Sequence, residues 1–472
     1  MTMRTSWWLL AAGSWLAGSM AVQAGAPWEE RSAAIGAAGQ TVAGRISGDA
    51  LERLRAIGLE LFKGEFTVND GVGRPGATQA IVPTKRRHPA ATEFNRTAGL
   101  DANACSGCHN KPIVGGAGDF VTNVFVSEGF ESADFDTTDP QFSNERGTNH
   151  LFGAGLIELL AREMTADLQG ARDKGLDDAA RTGEVQAVRL VTKGVDFGRL
   201  TVHPDGIVDL DKLDGVDMDL VIRPFSQKGV MTSLRQFTVN AMNQHHGMEA
   251  VERFGGRWTG TADFDEDGRQ DELADGDISA LVAWQAGLEP PTTAVVEQAF
   301  AARAASGAHL FESYGCDSCH RQELPLSSLD FADPGPVDAA GTLNDGQVKQ
   351  VATYDLASLP WAKTLKHNEK GEVLVPLFGD LKRHVMTDNR IDRFGNELLA
   401  QRFVDRNIFM TTELWGISST APYGHRNDIT TLDEVILAHG GEARAARDAY
   451  ADASKDDRAD LIAFLKTLVI PQ

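Results

Sequence analysis

The hydrophobic positions of the chain predict two similar pairs of helices. In the first half, apolar residues recur at helical spacing in residues 58–62 and again in residues 277–284. In the second half, the same spacing appears in residues 307–311 and in residues 460–468. A spacing of three to four residues is typical of helices that bury one face. The pattern therefore predicts that one helical unit occurs twice.

Between residues 186 and 226 the pattern changes to an alternation of apolar and polar positions, which favours strands. Turn sequences at residues 204–206 and 214–215 interrupt this alternation. Short β-hairpins are therefore predicted as insertions in the first helical unit. The Pro-Pro pair at 290 and 291, followed by two threonines, is typical of a linker. We expect one domain over residues 25–290 and a second over residues 291–472.

The first 24 residues have the pattern of a secretory signal. Arg4 precedes a run of apolar and small residues, and Val22 and Ala24 are small side chains at the positions that signal peptidase reads. Cleavage after Ala24 is expected, with an uncleaved anchor helix as the alternative. No later stretch is apolar for 18 residues, so no transmembrane segment is predicted after cleavage. The predicted location is the periplasm.

All four cysteines of the 472 residues lie in two copies of the pentapeptide C-x-x-C-H, at residues 105–109 and 316–320. Two thiols at this spacing can each form a thioether with a haem vinyl group, and the adjacent histidine supplies an imidazole to the iron. A redox dithiol would not need the histidine twice, and structural zinc would need further ligands nearby. The spacing predicts two covalently bound c-type haems. The predicted haem-binding residues are Cys105, Cys108, His109, Cys316, Cys319 and His320.

The repeated haem motif, together with the repeated helix pair, resembles the c-type cytochrome fold. The expected fold class is therefore mainly α, with two cytochrome c-like haem domains and short β-hairpin insertions.

Several segments resemble the bacterial di-haem cytochrome c peroxidase superfamily, and within it the di-haem oxidoreductase family, whose members are also called thiol oxidoreductases. The resemblance covers most of the chain and lies in residues 146–158, 377–384, 413–417, 420–428, 431–435 and 439–443. It implies a peroxidase-type oxidoreductase. It also implies that His439 is the distal ligand of the second haem, at the position where the peroxidases have methionine.

Two features depart from the peroxidases. A histidine at 439 would give the second haem two imidazole ligands, which stabilise ferric iron and lower the reduction potential. The stretch F-W-D-G-R, which the peroxidases carry near the first haem, does not occur in this sequence. His384 is either an iron ligand or a hydrogen-bonded histidine near a haem edge.

If the first iron has an open position, its site needs an acid or base to move protons. Glu158 is the candidate, with an ordinary helix-surface carboxylate as the alternative. His150 is predicted to be a distal ligand or a pocket donor, and His245 and His246 are further distal candidates. Phe152 falls near the position where the peroxidases place a tryptophan between the haems.

Residues 263–272 have the pattern of a calcium loop. Asp263, Asp265, Asp267 and Asp271 occupy positions 1, 3, 5 and 9, with glycine at position 6. Position 12 is Ala274, so a bidentate carboxylate would have to come from Glu272, Asp275 or Asp277, or be absent. The alternative is a solvated acidic turn. The loop pattern therefore predicts that the protein binds Ca²⁺.

The formal net charge of −22 disfavours nucleic acid as a partner and favours a redox partner protein, or a small electron donor, with a basic docking surface. The predicted function is an exported di-haem oxidoreductase. One haem transfers electrons, and the other activates peroxide or O₂. The alternative is a non-catalytic electron-transfer cytochrome with both haems six-coordinate. The physiological substrate, the electron donor and the oligomeric state are not specified by the sequence.

Overall fold

The computed structural model describes residues 30–73 (apart from 31, 33, 41 and 42), 103–125, 143–340 (apart from 296), 343, 346–397, 400, 401 and 403–471. The predicted signal sequence, residues 1–24, lies outside the described residues. None of the described helices is both long enough and apolar enough to cross a membrane.

Eleven α-helices occur among the described residues. They are α1 (Gly48–Lys63), α2 (Cys105–Cys108), α3 (Ala154–Thr182), α4 (Leu234–Ala241), α5 (Val251–Phe254), α6 (Gly256–Thr259), α7 (Asp275–Ala286), α8 (Gln298–Ser313), α9 (Leu432–Leu437), α10 (Arg444–Asp452) and α11 (Lys455–Leu465). A π-helix, Met242–His246, continues α4, and several 3₁₀ turns lie in the second half.

Fifteen short strands form six small sheets in the same part of the chain. They are β1 (Gly44–Ile46), β2 (Gly118–Phe125), β3 (Ser143–Thr148), β4 (Gln186–Thr192), β5 (Val195–Val202), β6 (Val208–Asp209), β7 (Thr292–Thr293), β8 (Leu324–Leu326), β9 (Asp330–Asp333), β10 (Ala352–Asp355), β11 (Lys366–His367), β12 (Val373–Val375), β13 (Arg383–Val385), β14 (Ile408–Met410) and β15 (Leu468–Val469). The sheet orders are β1-β10-β9, β11-β12-β8, β13-β14, β15-β7, β2-β3 and β4-β5-β6.

The prediction of a mainly α fold is wrong, because the described residues form a mixed α and β structure. The hairpin predicted in the first half is present: β4 and β5 pair antiparallel with Val188 opposite Leu200, and β6 extends the sheet. The sequence did not predict β1 to β3, nor any strand from β7 onward. The strands β8 to β14 lie between residues 324 and 410 and are two to four residues long. Runs this short contain too little alternation to be distinguished from loops.

The two predicted helix pairs are present and cross in the same way. Helix α1 packs on α7, and α8 packs on α11. A Cβ added at Gly58 of α1 would lie 2.0 Å from the carbonyl oxygen of Ala280, and one added at Gly307 of α8 would lie 2.0 Å from that of Asp460. Each glycine therefore allows two backbones to approach at the crossing point. The repeat in the sequence corresponds to a repeat in the packing.

The apolar interior divides unequally between the halves. The larger core runs from Ala34 to Ile470 and includes the strands β8 to β10 and β12, so part of the second half packs on the first. Strand β1 also pairs in parallel with β10, with Gly44 opposite Ala352. The smaller core surrounds the second C-x-x-C-H motif and contains Phe311. The predicted domain division at residue 290 stays a prediction.

Candidate functional site

A cavity of about 690 Å³ is lined by both C-x-x-C-H motifs. Largely apolar cavities of roughly 300–1,000 Å³ are typical of small-molecule and cofactor sites. The motif residues on its wall are Cys105, Cys108, His109, Cys316, Cys319 and His320. All four cysteines are free of disulfides. The structure thus brings together the six residues that the sequence predicts to hold haem.

The first motif forms a single helical turn, α2, followed directly by His109. The His109 amide donates to the carbonyl oxygen of Cys105 over 3.0 Å, which closes the turn. The Phe62 ring of α1 lies 5.9 Å from the His109 ring and 4.2 Å from that of Trp284 in α7, so the helix pair packs against the imidazole. Burial lowers the pKa of His109 to about 4, and this imidazole is therefore neutral at pH 7.

Other histidines lie beside His109. Charge on His245 and, to a smaller extent, on His150 lowers the pKa of His109 further, and all three histidines line the cavity. His245 belongs to the π-helix and lines the cavity. π-Helical turns are rare and occur frequently at functional sites. The next residue, His246, is buried, and its Nε2 lies 3.9 Å from Cys105 Sγ.

The second motif has its imidazole fixed by a backbone carbonyl. Nδ1–H of His320 donates to the carbonyl oxygen of Phe378 over 3.3 Å, which leaves Nε2 as the nitrogen with a lone pair. Burial lowers the pKa of His320 to about 4, and charge on His439 lowers it further. A carbonyl acceptor on one ring nitrogen is the usual arrangement for a metal-binding histidine.

His439, the predicted distal ligand, faces the same cavity. Helix α9 begins at a capping box, in which the Thr431 hydroxyl accepts from the Glu434 amide over 3.1 Å, and His439 follows its end. Nδ1–H of His439 donates to the Val435 carbonyl oxygen over 2.7 Å. Burial lowers the pKa of this imidazole, which therefore stays neutral. His439 and His320 are thus both neutral, and in each ring Nδ1–H donates to a backbone carbonyl oxygen.

His384 is held by two carboxylates. Its Nε2 lies 2.9 Å from Asp380 Oδ2, and its Nδ1 lies 2.7 Å from Glu442 Oε2. Burial alone would lower the pKa of His384, but the hydrogen bond to Asp380 and contact with Cys319 raise it to about 11. Both ring nitrogens are therefore protonated donors. Of the two interpretations that the sequence left open, this geometry favours the hydrogen-bonded histidine.

His150 and Trp415 join the two halves at the cavity wall. Nε2–H of His150 donates to the Trp415 carbonyl oxygen over 3.1 Å, and burial lowers the pKa of His150 to about 4. The Trp415 indole is buried and packs so closely on Gly153 that a Cβ there would lie 2.5 Å from its Cη2. Phe152 is buried and is not part of the cavity wall formed by the described residues. Trp415 is one of several aromatic side chains on that wall for which the sequence predicted no role.

Glu158 lies inside the protein rather than on the cavity wall. It forms an ion pair with Arg162, and its Oε2 accepts the Leu234 amide over 2.8 Å. Burial raises the pKa of Glu158 to about 7. Because both oxygens are engaged, the contacts point to a structural role, and the catalytic role of Glu158 stays a prediction that no described contact supports.

Glu413 is a carboxyl group that does line the cavity. Burial raises the pKa of Glu413 to about 7, and charge on Asp380 raises it further. A carboxyl with a pKa near the working pH is suited to general acid and base catalysis. In the sequence, Glu413 belongs to a segment that resembles the family, and no pattern around it predicts a role.

The cavity also has a positively charged wall. Arg146 lines it and forms an ion pair with Glu397, a buried carboxylate that lies 3.2 Å from Lys228 Nζ. Two cations therefore share one carboxylate behind this wall, and of these three residues only Arg146 lines the cavity. His425 lies 3.5 Å from Glu397, and burial lowers its pKa to about 3, so His425 adds no charge.

The structure brings together only part of the predicted calcium loop. Oxygens of Asp263, Asp265 and Asp267 lie within 4.8 Å of one another, whereas Asp271 is exposed and is not in this group. Asp277 instead accepts the amides of Gly36 and Ala274 over 2.9 and 3.1 Å, at the start of α7. Glu272 joins the carboxylates, together with a residue outside the pattern, Glu249.

Comparison with known proteins gives one family match. Residues 363–468 match the family described as "Di-haem oxidoreductase, putative peroxidase". This part of the chain is therefore similar to the di-haem oxidoreductase family. The matched segment contains His384, Glu413, Trp415 and His439, while both C-x-x-C-H motifs precede it. The resemblance to di-haem oxidoreductases is thereby confirmed.

A crystal structure of a MauG-like protein associated with microbial copper homeostasis is similar to this chain. It has 15% sequence identity and a TM-score of 0.29, and the match covers 66% of this chain and 88% of that chain. No curated protein matches the sequence.

Proposed function

We propose that this chain is an exported di-haem c-type cytochrome that acts as an oxidoreductase of the peroxidase type. The observation that carries the proposal is that two C-x-x-C-H motifs, far apart in sequence, line one cavity. Bound haem would supply iron centres that exchange electrons and, where an axial position is open, bind peroxide or O₂.

The residues at the cavity fit this cofactor. The four free cysteines can form the thioethers, and His109 and His320 are neutral, as iron ligands must be. The wall that contains Arg146 suits the carboxylate groups of haem, because its positive charge is not fully balanced by Glu397.

The two sites are proposed to have different tasks. His320 and His439 would hold the second iron between two imidazoles, and this arrangement suits electron transfer. His109 would hold the first iron and leave its other side to the substrate. His150 is proposed as a pocket residue; its Nε2–H donates to the Trp415 carbonyl oxygen, and its Nδ1 keeps a lone pair that faces no donor among the described residues.

Glu413 is the proposed proton donor and acceptor of the cavity. Its side chain lines the cavity, and burial keeps its pKa near 7, so it is present in both protonation states at neutral pH. It would take up and release protons for the redox chemistry of the cavity. Its neighbours are Gly379 and Asp380, so this carboxyl lies on the side of the second motif. Glu158, which is paired with Arg162, does not have this access.

One observation favours the second candidate function, an electron-transfer cytochrome with two six-coordinate haems. His245 lies near His109 and lines the cavity, so it could complete the coordination of the first iron. In that case neither iron would bind an external ligand.

The proposal includes location and partners. Export rests on the N-terminal pattern, and covalent haem attachment outside the cytoplasm agrees with it. The acidic composition supports a redox partner, or small donor, with a basic docking surface. Calcium is proposed as a further ligand of the acidic loop.

The test is to produce the full chain in a host that attaches c-type haem and to collect the exported fraction. Mass spectrometry should give a chain that begins at Gly25 and carries two haems. The reduced protein should be oxidised by hydrogen peroxide within the mixing time of stopped-flow absorbance and should turn over with a reduced donor. Two haems without any reaction with peroxide or O₂ would support the electron-transfer function instead.

A further inference from the structure

Five acidic side chains form a cluster that is separate from the wall of the haem cavity. Oxygens of Asp263, Asp265 and Asp267 lie within 4.8 Å of one another, and so do oxygens of Glu249, Asp265 and Glu272. Asp265 belongs to both groups, so the two groups form one acidic cluster.

Three members of the acidic cluster are almost completely buried. Asp265 is 0% exposed, and Glu249 and Glu272 are each 5% exposed. Ionised carboxylates are rarely buried unless they are paired or bind a metal. Their burial separates this cluster from an ordinary acidic turn in solvent.

Glu272 provides independent support for a ligand. Its Oε2 accepts the Glu249 amide over 2.6 Å, whereas its buried Oε1 has no hydrogen-bond partner among the described residues. Oδ1 of Asp263 is also buried and also has no hydrogen-bond partner among the described residues. Buried oxygens without a donor are destabilising, and a bound cation would satisfy them.

The surrounding backbone closes over Glu272. A Cβ added at Gly71, whose φ is +106°, would lie 2.4 Å from Cδ of Glu272. On the other side, Gly268 has φ +89° and turns the loop so that its amide reaches Asp263 Oδ2 over 3.2 Å. The carboxylates are thus held in place by the fold of two separate segments.

We infer that the acidic cluster binds one Ca²⁺ ion through Glu249, Asp263, Asp265, Asp267 and Glu272. The donor set contains only oxygen, which suits a hard cation. Ca²⁺ takes roughly six to eight oxygen ligands, and carboxylates can supply one or two each, so this set can satisfy most of its coordination. The inference does not depend on the proposed haem chemistry.

This ligand set differs from the one that the loop pattern predicts. Asp271 is exposed and lies outside the cluster, while Glu249 comes from a segment before the loop. Position 12 of the loop is Ala274, which has no carboxylate. The buried Glu272 supplies that carboxylate instead.

Calcium binding can be tested on the full holoprotein by isothermal titration calorimetry after chelator treatment. One Ca²⁺ per chain is expected, with a dissociation constant of about 10 µM or lower. Glu272→Gln should weaken binding at least tenfold, since it removes a charged ligand without changing the size of the side chain. Asp271→Asn is the matched control in the same loop and should bind Ca²⁺ like the wild type.

Thermal unfolding distinguishes lost binding from lost folding. Ca²⁺ should raise the melting temperature of the wild type and of Asp271→Asn by several degrees and leave that of Glu272→Gln nearly unchanged. In chelator, Glu272→Gln should unfold at or above the wild-type temperature. Absence of Ca²⁺ binding by the wild type at millimolar concentration, or equal binding by Glu272→Gln, would overturn the inference.

Discussion

The two C-x-x-C-H motifs are built on the same helix crossing but have different surroundings. Helices α1 and α7 cross at Gly58 beside the first motif, and α8 and α11 cross at Gly307 beside the second. Around the second motif, aromatic rings pack together, with Phe311 6.1 Å from Phe378 and 5.5 Å from Phe464. Around the first motif, the cavity wall carries polar side chains, among them Gln244, His245 and Gln285.

This difference suggests how a duplicated unit acquires two tasks. The second site presents His320 and His439, whose Nδ1–H groups each donate to one backbone carbonyl oxygen, so each keeps Nε2 available for an iron ion. The first site presents His109 with polar neighbours on the cavity wall, among them His150, whose Nε2–H donates to the Trp415 carbonyl oxygen. We therefore propose electron transfer for the second site and substrate chemistry for the first.

Removing one pair of cysteines should have the largest effect. C105S/C108S should lose one of two covalent haems and all peroxide turnover, while keeping the absorption spectrum of a haem with two imidazole ligands. C316S/C319S should lose that spectrum instead. Mass spectrometry and absorbance of the purified variants measure both results. If either double variant kept two covalent haems, the assignment of the motifs would be wrong.

Replacement of His439 should affect only the second site. His439→Met exchanges an imidazole for a thioether and should raise the reduction potential of one haem by on the order of 100 mV or more, within the ~0.8 V range that axial ligands span. Potentiometric titration followed by absorbance gives both potentials. His384→Asn, which removes the group between Asp380 and Glu442, is the control and should keep the second haem six-coordinate. An unchanged potential in His439→Met would rule out His439 as a ligand.

Glu413 and Glu158 have similar pKa values in different places, and their glutamine variants should separate chemistry from stability. Glu413→Gln should lower kcat for peroxide by roughly 10²-fold or more, because the cavity loses its acid. Glu158→Gln should change kcat less than about threefold and lower the free energy of unfolding by about 1–3 kcal/mol, because Arg162 loses its charged partner. Steady-state kinetics and denaturant unfolding measure the two effects. The opposite pattern would restore Glu158 as the catalytic acid.

Glu413 also predicts a pH dependence of stability. Burial raises the pKa of Glu413 from 4.5 to about 7, so the folded protein binds this proton more tightly than the unfolded chain does. The contribution of Glu413 to the free energy of unfolding therefore falls as the pH rises from about 4.5 to about 7. Between about pH 5 and pH 8 the wild type should lose roughly 2–3 kcal/mol more than Glu413→Gln. If the stability of the wild type and of Glu413→Gln changed equally with pH, the Glu413 side chain would be exposed to solvent, contrary to this prediction.

The smallest expected effect concerns the partner. Salt screens attraction between an acidic protein and a basic donor, so turnover with a basic cytochrome as donor should fall several-fold between about 0.05 and 0.5 M NaCl. Turnover with a small neutral donor should change little. A salt-independent rate with the basic donor would contradict the predicted docking surface.

The sequence predicted those parts of the molecule that depend on local patterns. The C-x-x-C-H motifs, the helix pairs and the hairpin of β4 and β5 each rest on a short repeat, and each is found where expected. His439 was placed by family resemblance, and its position on the cavity wall agrees with that placement, although its role as a ligand stays a prediction.

What the sequence did not predict depends on contacts between distant segments. Strands β8 to β14 are too short to show a period, and strand β1 finds its partner β10 about 300 residues away. Glu158 and Glu413 are both isolated carboxylates in the sequence, and only the fold places one beside Arg162 and the other on the cavity wall. The same holds for Glu249, which lies outside the loop pattern that identified the acidic cluster.

The most direct test of the difference between the two sites is the number of CO molecules that the fully reduced holoprotein binds, measured by titration with absorbance detection. If the second iron is saturated by His320 and His439 and the first has an open position, the protein should bind one CO per chain, and His439→Ala should bind two. Binding of no CO would mean that both irons are saturated, and binding of two by the wild type would mean that His439 is not a ligand; either result would contradict the account.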